Sequence, residues 1–105
     1  MNGAKRSDSI PTIIGAMPVV AFSRIDDRHR ATEGCVHIRT DIGVLGPAWG
    51  VAVCEAPSGE GFFLYRCEDD WVPMTDTWHA SLDDAKHQAE FEYAGVERTW
   101  QRPPE

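Results

Sequence analysis

The chain has 105 residues, of which 42% are hydrophobic and 26% charged, and its ten basic and seventeen acidic side chains give a formal charge of −7. Such a length suits one domain with one ordinary core. The acidity disfavours nucleic acid and anionic membrane surfaces, because Lys and Arg supply most of the affinity for phosphate. No run approaches the roughly 20 apolar residues of a membrane-spanning helix. Met1 to Ile10 carries Lys5 and Arg6 but no apolar stretch before Pro11, so residues 1–10 read as a disordered tail rather than a secretory leader. Cys35, Cys54 and Cys67 are odd in number and widely spaced, which points to reduced thiols and a cytoplasmic setting.

Residues 11–101 read as a single domain. Pro11 to Gly15 forms a short strand or the lead-in to one. Met17 to Ile25 is apolar and β-branched, with Pro18 near its start, where an edge tolerates the missing N–H. Ile25 to Arg30 is a charged loop, closed by Glu33 and Gly34. Cys35 to Thr40 alternates, with Cys35, His37 and Arg39 on one face. Gly43, Gly46 and Pro47 punctuate the next connection. Ala48 to Glu55 is a strand with Trp49, Val51 and Val53 on one face and Gly50, Ala52 and Cys54 on the other. Ala56 to Glu60 turns the chain into a second arm, Gly61 to Glu68, which makes a hairpin. That arm is apolar on both faces at first, so it should be central or have its second face covered by another part of the chain.

From Trp71 the chain reads as irregular up to a helix. Ser81 is a good N-cap with Asp84 three residues on, and Asp83 and Asp84 suit the positive end of the helix dipole. The helix should run from Leu82 to Tyr93 or Ala94 and stop at Gly95. Leu82, Ala85, Ala89 and Tyr93 form its docking stripe, and Phe91 lies nearly opposite, with His87 one turn earlier. Val96 to Gln101 adds a short strand or lies against the body, and 102–105 is a tail. The expected fold is α+β: an antiparallel sheet of four or five strands with one C-terminal helix packed on one face.

The run Gly-Phe-Phe-Leu-Tyr-Arg-Cys at 61–67 and the run Asp-Thr-Trp-His-Ala-Ser-Leu-Asp-Asp-Ala-Lys-His-Gln-Ala-Glu-Phe-Glu-Tyr-Ala-Gly-Val at 76–96 resemble a family of small uncharacterised bacterial proteins. The resemblance covers the C-terminal half. It implies a bacterial source and a small sheet-plus-helix domain, and lends no activity and no catalytic residue.

Asp76, His79, Asp83 and His87 have metal-like spacing, but the cap at Ser81 breaks their helical register, so no metal is expected there. Cys35 and His37 could supply two ligands and nothing supplies the rest. Cys54 and Cys67 sit in apolar strands, where a thiol acts as a small hydrophobe rather than a nucleophile. No catalytic residue and no cofactor is therefore assigned. The expected role is a non-enzymatic interaction module whose partner is a second copy of the chain or another protein. Its contact residues would be Phe91, His87, Trp78 and Trp100, with Phe91 otherwise covered by the Trp71–Trp78 segment or by Trp100. The alternative is a small-molecule binder or weak enzyme with a groove built by Trp71, Trp78 and His79.

Overall fold

The computed structural model describes residues 11–31, 37–39, 43–45 and 48–103, the two short central stretches by their backbone alone. The fold is α+β. A five-stranded antiparallel sheet has the order β1 (Ile13–Ile14), β2 (Met17–Arg24), β6 (Gly50–Glu55), β7 (Phe62–Glu68) and β8 (Val72–His79), and α1 (Leu82–Glu92) packs on one face. Four shorter strands pair outside it: β3 (Arg30–Ala31) with β9 (Tyr93–Ala94), and β4 (His37–Arg39) with β5 (Gly43–Leu45). The strand expected around His37 is thus present, while Cys35 and the Cys35–His37 ligand pair lie outside the described side chains.

The β6–β7 hairpin is where the sequence placed it, with Val51 opposite Arg66 and Val53 opposite Leu64. Alternation sends Val51, Val53, Leu64 and Arg66 toward α1 and Ala52, Cys54, Phe63 and Cys67 to the second face. On the helix side Ala85 and Ala89 are fully buried, and their small side chains let the helix lie close to Val51, Val53 and Leu64. On the second face Ile14, Val19, Phe22, Ala52, Cys54, Cys67 and Trp71 form a second cluster. This cluster is closed by β1, which turns back at Gly15 and Ala16, both with positive φ. A two-residue loop with that backbone has the twist of a tight hairpin.

Several expectations are corrected. The segment after Trp71 is not irregular: Val72–His79 is the edge strand β8, paired with β7 from Phe62↔His79 to Glu68↔Val72 with a bulge near Cys67. Trp49 does not share a face with Val51 and Val53, because the strand begins only at Gly50, and its ring packs edge-on against Trp71 at 4.9 Å on the second face. The helix stops at Glu92 rather than near Gly95: Tyr93 takes an extended backbone, buries its ring and accepts the Ala48 N–H at 2.8 Å through its hydroxyl. Gly95, at φ 104°, instead opens a short 3-10 turn at Val96–Arg98. The following residues lie against the body, with Gln101 bridged to Phe22 by two backbone hydrogen bonds of 2.8 and 2.9 Å.

Candidate functional site

Phe91 is 62% exposed on the side of α1 that faces away from the sheet. The expected cover by the Trp71–Trp78 segment or by Trp100 is therefore not found. His87, one turn earlier, is also exposed, and it lines a cleft of about 190 Å³ together with Asp83, Lys86, Glu90, Glu97 and Trp100. The Lys86 ammonium stands 5.8 Å over the Trp100 ring, near the outer limit for a cation on an aromatic face. Phe91, His87 and Trp100 thus occupy neighbouring parts of one surface.

Trp78 does not belong to that surface. It stands opposite Phe63 in register, on the second face, and is 54% exposed. Trp71 is 7% exposed, packed edge-on against Phe22 at 5.5 Å and against Gly50. Seven residues of extended chain, roughly 23 Å, separate Trp71 from Trp78. His79 alternates to the helix side. The three residues expected to line one groove therefore occupy two ends and two faces of β8.

His79 instead ends a chain of polar groups that sequence reading missed. Arg66 and Glu92 are both 1% exposed and form a buried, two-pronged ion pair between β7 and α1. The remaining guanidinium nitrogen, Nη1, donates to the Leu64 carbonyl at 3.1 Å and to Thr77 Oγ1 at 3.0 Å. Gln88 donates to Glu92 Oε2 at 2.7 Å. Thr77 Oγ1 lies 2.7 Å from His79 Nε2. Because Arg66 already donates to the Thr77 oxygen, the hydroxyl hydrogen is free to point at His79 Nε2, which then accepts. Partial burial and the Arg66 charge hold the imidazole below its ordinary pKa, against the opposite pull of Asp84 and Glu92. Arg66 and Glu92 are enclosed, whereas Thr77, His79 and Gln88 are half-buried, and of these the hydroxyl–imidazole pair is the one with acid–base character.

A second polar knot ties the C-terminal segment down. The Asp26 N–H donates to His29 Nδ1 at 3.0 Å, which leaves Nε2 to donate to Thr99 Oγ1 at 2.9 Å. Ser23 and Thr99 share a hydrogen bond of 2.7 Å.

The four residues with metal-like spacing are dispersed. Asp76 is on the second face, His79 on the helix side, and Asp83 and His87 on the exposed flank of α1. Among the described residues no group of three or more His, Cys, Asp or Glu could hold a metal ion. Burial pushes the Cys54 and Cys67 thiols up to about 12, which leaves them protonated and inert as nucleophiles at neutral pH. Comparison with protein-family models, with curated proteins and with solved structures finds no match for this chain.

Proposed function

We propose that the chain is a non-enzymatic interaction module that docks a protein on the outer side of α1, a second copy of itself being the first candidate. The observation that carries this reading is Phe91, 62% exposed on a helix whose other side is already closed by Ala85, Ala89 and Glu92. A large aromatic left mostly in water gains little of its burial energy within the fold, whereas at an interface it can serve as an anchor. His87 and Trp100 extend the surface across the adjoining cleft. Trp78 leaves this patch, so the surface is smaller than the one the sequence suggested. No helix among the described residues is long and apolar enough to cross a membrane. The acidic charge and reduced thiols fit a module working in the bacterial cytoplasm on proteins rather than on nucleic acid or membrane.

Light scattering across a concentration series provides the test. The parent chain should shift toward a dimer as concentration rises, and Phe91→Asp should remain monomeric with an unchanged far-UV spectrum. A parent that stays monomeric throughout, with Phe91→Asp equally soluble, would remove the self-association reading.

The 2.7 Å contact between Thr77 Oγ1 and His79 Nε2 supports a second reading, a small-molecule binder or weak enzyme. It is the weaker of the two. Arg66 already occupies the Thr77 hydroxyl oxygen, and Trp71 has left the groove that would have held the ligand.

A further inference from the structure

We propose that Trp78 is a preset platform for a cationic side chain, and that the second face of β7 and β8 receives an arginine- or lysine-bearing segment of a partner protein. This surface lies on the opposite face of the sheet from α1, so it stands independently of the Phe91 reading.

The first observation is that Trp78 is exposed yet fixed. A Cβ built on Gly61 would come within 2.4, 2.6 and 2.7 Å of Nε1, Cε2 and Cζ2 of the indole. These three atoms are the outer edge of the indole, so that edge lies against Gly61, in space that only a hydrogen leaves free. Gly61 also has a φ of 103°, a backbone other residues rarely adopt. The indole N–H donates to the Glu60 carbonyl at 2.9 Å. One edge of the ring is therefore tied to the chain's backbone at Gly61 and Glu60, and the residue stays 54% exposed. A ring held this way loses little further freedom on binding.

Its surroundings select the ligand. Phe63 stands opposite Trp78, and the Tyr65 ring follows at 6.4 Å from that of Phe63, so three aromatics run along the strands. Asp76, opposite Tyr65 and two residues before Trp78, is an exposed carboxylate, and Glu60, whose backbone carbonyl accepts the indole N–H, is an exposed acidic residue as well. Aromatic faces carry negative potential and attract ammonium and guanidinium groups. The carboxylates strengthen that attraction, and the chain's overall −7 steers a basic partner toward it. Single-stranded nucleic acid also stacks on such rows, but here its phosphates would meet Asp76 and Glu60.

The probe is a blocked hexa-arginine peptide, titrated calorimetrically at low salt beside the same peptide in citrulline, which keeps the shape and loses the charge. The arginine peptide should bind and the citrulline peptide should bind at least about tenfold more weakly. Trp78→Ala should weaken the arginine peptide by roughly three- to thirtyfold, the span of a cation on an aromatic face. Trp78→Phe should keep most of the affinity, and Asp76→Asn should lower it by about two- to threefold. If Trp78→Ala does not fold, the Phe and Asn variants and the citrulline comparison decide. Phe91→Asp should bind the peptide as the parent does, whatever its own oligomeric state. Equal binding of the two peptides, or a Trp78→Ala variant that folds and binds like the parent, overturns the proposal. So does a neutral oligosaccharide or an oligonucleotide whose binding, in place of the peptide's, depends on Trp78.

Discussion

Removing one member of the Arg66–Glu92 pair should cost this protein a large part of its stability, whereas removing both should not. Both side chains are 1% exposed, so whichever remains cannot turn to water. In Glu92→Leu the guanidinium keeps the Leu64 carbonyl and Thr77 Oγ1, but Nε and Nη2 lose their acceptors. Gln88 loses its acceptor as well. In Arg66→Met the carboxylate keeps Gln88 but loses both guanidinium donors and the charge that balances it. An uncompensated buried charge costs about 3–5 kcal/mol. The whole stability of a domain is about 5–15 kcal/mol, so each single variant should stand near the edge of folding. Arg66→Met combined with Glu92→Leu replaces the pair by apolar groups of similar length. It should fall within about 1 kcal/mol of the parent or exceed it.

Urea unfolding followed by tryptophan fluorescence measures this directly. With a slope of about 1.5 kcal/mol per molar, a loss of about 4 kcal/mol moves the midpoint by about 2.7 M. If the single variants do not fold at all, a folded double variant gives the same answer. A single variant that loses less than about 1 kcal/mol, the worth of an exposed pair, would mean that water reaches Arg66 and Glu92. A double variant as unstable as the two single losses added would show that the two residues act separately.

Two further outcomes follow from the titrating groups. His79 is held below 6.5, so as pH falls through that value the unfolded chain takes up the proton before the folded one does. Its contribution to stability is full above pH 6.5 and drains away below it. The urea midpoint should therefore drop between pH 7.5 and 5.5, and His79→Gln should flatten that part of the curve; an unchanged slope in the variant refutes the assignment. The Asp26 carboxyl, held down to about 2 by Arg28, acts only in a separate and more acid range. In a Cys35→Ser background, Cys54 and Cys67 should be silent toward a thiol-disulfide reagent at pH 8 and react fully in concentrated guanidinium. Rapid labelling of the native protein would contradict their burial and their pKa near 12.

What could be read from the sequence and what could not divide along a physical line. The N-cap was legible because it is local: Ser81 Oγ accepts the Asp84 N–H at 3.0 Å, three residues away. The docking stripe and the β6–β7 hairpin were legible because one face of each is apolar at the right period. β8 was not, because its helix-side positions are Thr75, Thr77 and His79, two of which belong to the polar chain that begins at Arg66. A strand that packs against a buried charge carries the opposite pattern from one that packs against leucine. Pro73, Asp76 and the bulge near Cys67 obscure it further, and those same features guard a sheet edge against pairing with another strand. The helix end was misplaced for a comparable reason. Gly95 suits a helix stop, but Tyr93 leaves the helix earlier to satisfy the Ala48 N–H, a partner 45 residues away.

The same division bears on the candidate surfaces. Arg66 stands amid the apolar residues of β7, and its carboxylate lies 26 residues downstream, so neither announces the other in the sequence. Once paired, they leave the α1 side of the sheet filled by charge as well as by hydrocarbon, and they take Thr77 and His79 out of any simple groove. The aromatic residues then separate by face. Trp71, in a left-handed backbone at φ 64°, is held there by Gly50, Phe22 and Trp49 and works as core. A bulky residue in that conformation costs on the order of 1 kcal/mol or more, which packing must offset. Trp78 sets one edge of its ring against Gly61 and stays about half exposed, and Phe91 is more exposed still. Two tryptophans seven residues apart thus have opposite roles, and spacing alone could not have told them apart. What distinguishes them is the glycine beneath each: Gly50 lies inside the second core, whereas Gly61 lies beside an exposed turn and leaves its indole open to a partner.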